Sequence, residues 1–78
     1  MEKLKDIFAN IMGVKVENIN DNSSPENISS WDSFNSLMLI SDLEKNFGLR
    51  FTTDEIASVK NFGDIVSILK KRGIKEKI

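Results

Sequence analysis

The sequence predicts a small all-α fold: four helices, the third of them short, with a long loop after the first. Three observations carry this. Apolar residues recur at three- and four-residue spacing in separate stretches, as one face of a helix requires. Four glycines are scattered at the apparent ends of those stretches. Between the first and second stretch lies a polar run, Asn20-Asp21-Asn22-Ser23-Ser24-Pro25, dense in turn formers. A chain of 78 residues makes one domain, 1–78, with a modest core and no room for a separate catalytic domain.

In the first helix, predicted over residues 2–12, Leu4, Ile7, Phe8, Ile11 and Met12 form one stripe, and Gly13 is placed to stop it. Residues 14–31 read mostly as connector, with Val14, Val16, Ile19 and Ile28 as anchors to the core. An irregular segment of that length is unusual in a compact domain and often functional. Trp31 is expected to anchor the loop, a surface contact being the other reading.

The second helix is predicted from Ser33 to Phe47. At about 100° per residue its apolar side chains are too many for one stripe. Leu39, Ile40, Leu43 and Phe47 fall on one side; Phe34, Leu37 and Met38 fall nearly opposite. The first side can face the core, which leaves the second exposed as a partner site unless another helix covers it.

Gly48 ends that helix, and Leu49-Arg50-Phe51 is a short extended link. Thr52 and Glu55 have capping-box spacing for a third helix over 53–59, with Ile56 and Val59 turned inward. Asn61 caps the fourth helix, and Asp64 in its first turn complements the dipole. Phe62, Ile65, Val66 and Leu69 share its inner face with Ile68 at the edge. Lys70, Lys71 and Arg72 occupy the last turn, Gly73 stops it, and the stretch 73–78 is expected to be a frayed tail.

Composition excludes several functions. Eleven basic and twelve acidic residues leave a net charge of −1, with no general drive toward nucleic acid or an anionic membrane. The absence of cysteine and histidine removes disulfides, thiolate and imidazole metal ligands, a cysteine nucleophile and Ser-His triads. Any thioester chemistry therefore needs a thiol from outside the polypeptide. The longest apolar run is Leu37-Met38-Leu39-Ile40, far short of a membrane span, and no signal peptide is evident. A cytoplasmic monomer is expected.

Ser33 is the residue with a chemical possibility. At the first turn of the second helix its hydroxyl would face out, where unpaired N–H groups and the positive end of the dipole stabilise a phosphate. The same residues also suit plain capping, since Asp and Ser are both preferred N-caps.

Trp31-Asp32-Ser33-Phe34, Leu43-Glu44, Phe47-Gly48-Leu49-Arg50-Phe51, Asp54-Glu55-Ile56 and Asn61-Phe62-Gly63-Asp64-Ile65-Val66, in that order and at matching spacing, resemble the acyl carrier protein family over nearly the whole chain. The resemblance implies a small four-helix bundle of acyl-carrier type with no catalytic activity of its own. A phosphopantetheinyl transferase would attach 4′-phosphopantetheine from coenzyme A to Ser33, and acyl-activating and acyl-transferring enzymes would dock. Asp32 would cap the helix and present Ser33. Phe34, Leu37 and Met38 would contact the enzymes. Helices two and three would flank a cavity for the acyl chain, with Ile40, Leu43, Phe51, Ile56 and Val59 as its wall; ordinary core is the other reading of those five.

Two departures from the family pattern matter. Phe34 stands where members usually carry leucine. Carriers of fatty acid synthesis place carboxylates along helix two, whereas this chain has Asn35 and Met38 early there, only Asp42 and Glu44 later, and Arg50 in the link. Weak electrostatic steering and more apolar docking follow, and with them a specialised carrier. Fatty acyl, polyketide, hydroxyacyl and aminoacyl cargo all remain open, since peptidyl and D-alanyl carriers share the architecture. The rival from another class is an unmodified helical interaction domain that binds a protein through Phe34, Leu37 and Met38.

Overall fold

The computed structural model describes residues 2–74. Four α-helices follow in order: α1 (Glu2–Met12), α2 (Ser33–Phe47), α3 (Thr53–Ser58) and α4 (Phe62–Lys71). No strand occurs among the described residues. The first two helices and the start of the fourth fall where periodicity and capping residues put them.

Leu4, Phe8 and Met12 of α1 are buried against α2, which contributes Leu39 and Leu43. From α4 come Phe62, Ile65, Ile68 and Leu69. Ile68, expected at the edge of that face, is buried, and Val66 is half-buried. The helix is therefore rolled toward Ile68 relative to the sequence expectation. The middle of the core is an aromatic row: the Phe8 ring meets Trp31 at 5.1 Å and Phe62 at 5.2 Å, both edge-on. Such pairs add stabilisation beyond their buried area.

The long connection is more ordered than its composition suggests. It opens with a 3-10 turn at Val16–Asn18, which sequence reasoning missed. Ile19 and Ile28 are buried as anchors and Val14 is half-buried, but Val16 is exposed. The 3-10 turn explains this, because none of its three residues is buried. Further on, short side chains satisfy the backbone. The Asn20 N–H donates to Ser23 Oγ (3.0 Å), the Asn22 N–H to Asn20 Oδ1 (2.8 Å) and the Ser24 N–H to Asn27 Oδ1 (3.0 Å). These are the local bonds that make Asn and Ser turn formers.

The loop is also stitched to α4. The Phe62 N–H donates to the Ser23 carbonyl (2.8 Å) and the Gly63 N–H to the Asp21 carbonyl (3.0 Å). Two of the otherwise unpaired N–H groups of a helix start are thus satisfied by the loop backbone. The approach is close. A Cβ at Gly63 would lie 3.2 Å from both the Cβ and the carbonyl oxygen of Asp21, so any side chain there would press the loop back by a few tenths of an ångström.

At its other end α4 closes in a left-handed glycine cap. Gly73 has φ +82, its N–H donates to Lys70 O and the Ile74 N–H to Leu69 O, both at 3.0 Å. Ile74 then packs half-buried on the core, the hydrophobic contact that accompanies this cap. Gly73 and Ile74, expected at the start of a frayed tail, are therefore part of the helix end. The remainder of that stretch, 75–78, lies outside the described residues.

Candidate functional site

Ser33 is the first residue of α2 and is exposed. Asp32 puts it there. Its backbone is extended (φ −112, ψ −177), and its carboxylate accepts the Asn35 N–H at 2.9 Å. The Asp32 carbonyl takes the Ser36 N–H at 2.8 Å. Asn35 in turn reaches back, its amide nitrogen donating to Ser30 O (2.7 Å), while the Ser30 hydroxyl donates to Met12 O (2.6 Å) at the end of α1. A line of hydrogen bonds thus runs from the end of α1 to the first turn of α2. Beside it Trp31 is buried against Phe8. The backbone around Ser33 is fixed, whereas its hydroxyl makes no hydrogen bond to the described chain.

The capping arrangement leaves room for an anion. Asp32 occupies the Asn35 N–H, but the N–H groups of Ser33 and Phe34 have no acceptor among the described residues. No acidic residue lies within the first helical turn. Both features favour a phosphate on the Ser33 oxygen.

A groove of about 490 Å³ opens beside Ser33, bounded by Pro25, Trp31, Asp32, Ser36, Leu37, Ile40 and Ile56. A smaller space of about 60 Å³ lies further in, between Trp31, Ser36, Leu39, Ile40, Ile56, Val59 and Ile65. Trp31, Ser36, Ile40 and Ile56 border both, so they form one crevice that narrows inward. A larger hollow of about 570 Å³ sits between the end of α1 and the loop. It is lined mainly by Asn and Ser and does not border Ser33.

Of the five residues expected as an acyl wall, Ile40, Ile56 and Val59 border the crevice. Leu43 and Phe51 are buried in the core and border neither space. Position along the helix accounts for Leu43. It lies one turn beyond Leu39, which itself borders the inner space, so distance along the helix takes it out of reach of the crevice. Phe51 is held in the link, its N–H donating to Glu44 Oε2 at 2.8 Å. Sequence reasoning missed Ser36, whose position one turn after Ser33 was the available signal. Trp31, expected as a loop anchor with a surface contact as the other reading, is buried and also borders the crevice.

Phe34, Leu37 and Met38 are exposed, at 70%, 64% and 42%, and no other helix of the described chain covers them. Ile56 on α3 adds a further exposed apolar side chain at 38%.

The α3 wall is held by polar contacts. Thr52 Oγ1 accepts the Glu55 N–H (3.1 Å) and Glu55 Oε1 accepts the Thr52 N–H (2.9 Å), the capping box expected from spacing. Glu55 also pairs with the Arg72 guanidinium at the end of α4 through Nη2 and Nε, a contact the sequence did not reveal. The Arg72 hydrogen bond, and after it the Thr52 N–H, hold the Glu55 carboxyl below the usual glutamate range. Glu55 raises Arg72 above its ordinary value in return.

A family model described as "Phosphopantetheine attachment site" matches residues 2–69. The chain belongs to the acyl carrier protein family. It is 34% identical over 68 residues to an acyl carrier protein of Lactobacillus acidophilus, covering 87% of this chain and 85% of that one. To an acyl carrier protein of Clostridium acetobutylicum it is 33% identical over 69 residues, covering 88% and 90%. In three dimensions it is similar to the solution NMR structure of a holo acyl carrier protein from Geobacter metallireducens, with a TM-score of 0.82, 25% identity and coverage of 99% of this chain and 92% of that one. Membership makes the chain a carrier rather than an enzyme, and makes covalently attached 4′-phosphopantetheine its cofactor. The exposed serine hydroxyl, the open N–H groups and the adjoining groove fit such a group. No helix among the described residues is long and apolar enough to cross a membrane.

Proposed function

We propose that Ser33 is the attachment residue and that the protein is a cytoplasmic, monomeric carrier dedicated to a specialised lipid, polyketide or other secondary pathway. The observation that carries the attachment is the exposed Ser33 hydroxyl on a rigidly capped helix start. In the modification, Ser33 Oγ loses its proton and forms a bond to phosphorus of coenzyme A. The pyrophosphate linkage breaks and 3′,5′-ADP leaves. A separate phosphopantetheinyl transferase catalyses this, and Asp32 holds the helix start in place for it. Once attached, the arm supplies the thiol that the polypeptide lacks and holds an acyl group as a thioester. Tethering then raises the effective concentration of cargo at docked enzymes.

The specialised role rests on the face beside Ser33. Phe34, Leu37 and Met38 dominate it. The later carboxylates of α2 do not compensate: Glu44 is engaged with the Phe51 N–H and Asp42 is half-buried. Acyl-activating and acyl-transferring enzymes should therefore dock by apolar contact, with little salt dependence.

Intact mass after incubation with coenzyme A and a broad-specificity phosphopantetheinyl transferase tests the attachment. One added phosphopantetheine is expected, and none in Ser33→Ala. Gain of mass by the Ser33→Ala variant would move the site elsewhere. Phe34→Ala should still take the arm but lose acyl transfer from its loading enzyme. Tight, salt-sensitive binding to a general fatty-acid ketosynthase would argue against the specialised role.

A further inference from the structure

Ser33 is bracketed by hydrogen bonds that end on one carbonyl. The Ser30 carbonyl accepts the Asp32 N–H at 3.0 Å from one side of Ser33 and the Asn35 side-chain amide at 2.7 Å from the other. Ser30 is itself pinned, its hydroxyl donating at 2.6 Å to the carbonyl of Met12, 18 residues away in sequence. Met12 is 3% exposed and ends α1, which packs against α2. The attachment serine is thus tied to the core through Ser30 before it and Asn35 after it, both half-buried. A helix start left to itself frays. The Asp32 carboxylate caps the Asn35 N–H but does not reach α1; the Ser30–Asn35 tie does.

Resting on the attachment at Ser33, we propose that Ser30 and Asn35 are positioning residues for phosphopantetheine transfer, holding the Ser33 backbone against the end of α1. Neither bonds the Ser33 hydroxyl, so both act through the backbone. Orientation of a reacting group is a rate effect: a serine already fixed gives up less freedom when its oxygen meets phosphorus. The rest of α2 is held by its own helical bonds and by the burial of Leu39 and Leu43. Cutting the tie should therefore slow transfer without weakening the binding of the transferase. The two links are in series, since breaking either one disconnects Asn35 from α1.

The test measures initial rates of arm transfer from coenzyme A by a broad-specificity phosphopantetheinyl transferase over a range of carrier concentration, with product followed by intact mass. Ser30→Ala and Asn35→Ala should each lower kcat about three- to tenfold, the worth of one hydrogen bond, and leave KM within about twofold. The double variant should be no slower than the slower single variant, because the links are in series. Ser30→Thr, which keeps the hydroxyl, should restore the rate. Asn61→Ala separates positioning from plain stability. It loses the Asp64 N–H bond (2.9 Å) at the start of α4, and should lower the thermal midpoint by a similar amount while leaving kcat unchanged. Equal slowing in Asn61→Ala, or losses that multiply in the double variant, would overturn the positioning role. Single variants that keep full kcat, or a loss carried by KM alone, would overturn it too. A wild-type chain that takes no arm, or a Ser33→Ala variant that takes it equally, overturns attachment at Ser33 itself, and the positioning role with it.

Discussion

Helices α3 and α4 are neighbours in sequence and are held by opposite means. α4 buries Phe62, Ile65, Ile68 and Leu69, and its start is bonded to the long loop. α3 buries none of its six residues and depends on a capping box and the Glu55–Arg72 pair. Apolar burial is worth a few kcal/mol per large side chain, while caps and exposed ion pairs are worth about one or less. The rigid wall of the crevice is thus on the α2 and α4 side, and the yielding wall is α3. On the carrier function proposed above, a weak helix beside the crevice would ease the release of cargo to enzymes.

The sharpest way to break this contrast is to remove the aromatic row on the rigid side. Phe8 is fully buried between Trp31 and Phe62. Phe8→Ala should cost about 3–5 kcal/mol. A domain of this size has a total stability of roughly 4–12 kcal/mol, so a large part of it goes. Denaturant unfolding measures the loss, and a cost below about 1 kcal/mol would mean that the row is not the centre of the core.

Thr52→Ala strikes the other side. It removes the Oγ1 that accepts the Glu55 N–H and should cost about 1 kcal/mol. The loss should be local, because α3 has no buried side chain to couple it to the core. Amide exchange in α3 should quicken while that of α4 stays near its original rate. Exchange that accelerates equally in both helices would show that α3 is part of the same cooperative unit, and the contrast would fail.

How legible each wall was in the sequence follows the same division. The burial pattern of α1, α2 and α4 is periodic, and their starts and stops are marked by Asp32, Asn61 and glycines, so these elements could be placed from spacing alone. The exposed Phe34, Leu37 and Met38 could be read too, since they lie opposite the core face. Contacts between segments far apart in sequence were not legible. Nothing local marks Glu55 as the partner of Arg72, or the carbonyls of Asp21 and Ser23 as acceptors for the start of α4. The acyl wall shows the same limit. Periodicity put Leu43 on the same side of α2 as Ile40, but only the positions of α3 and α4 decide that Ile40 borders the crevice while Leu43 is sealed in the core. Val16 was misjudged because it was taken as an anchor for being apolar, whereas it lies in a 3-10 turn none of whose residues is buried.

The smallest predicted effect concerns the polar tie itself. Glu55 has its pKa lowered in the folded protein, by the Arg72 hydrogen bond first and the Thr52 N–H second. A carboxyl depressed by folding binds protons more tightly in the unfolded chain. Its contribution is therefore fully present above the ordinary glutamate range, about 4.3, and is lost as pH falls through the lower folded value. Arg72 is raised still further above its already basic range and stays charged throughout. Glu55→Gln keeps the shape and the acceptor for the Thr52 N–H but removes the charge. The stability difference between the two proteins should be small, because the pair is solvent-exposed, and salt should shrink it. It should be largest near neutral pH and should vanish on acidification below the carboxylate range. A difference that holds constant from neutral to acid would mean that Glu55 acts only as a neutral cap, and that nothing electrostatic ties the yielding wall to α4.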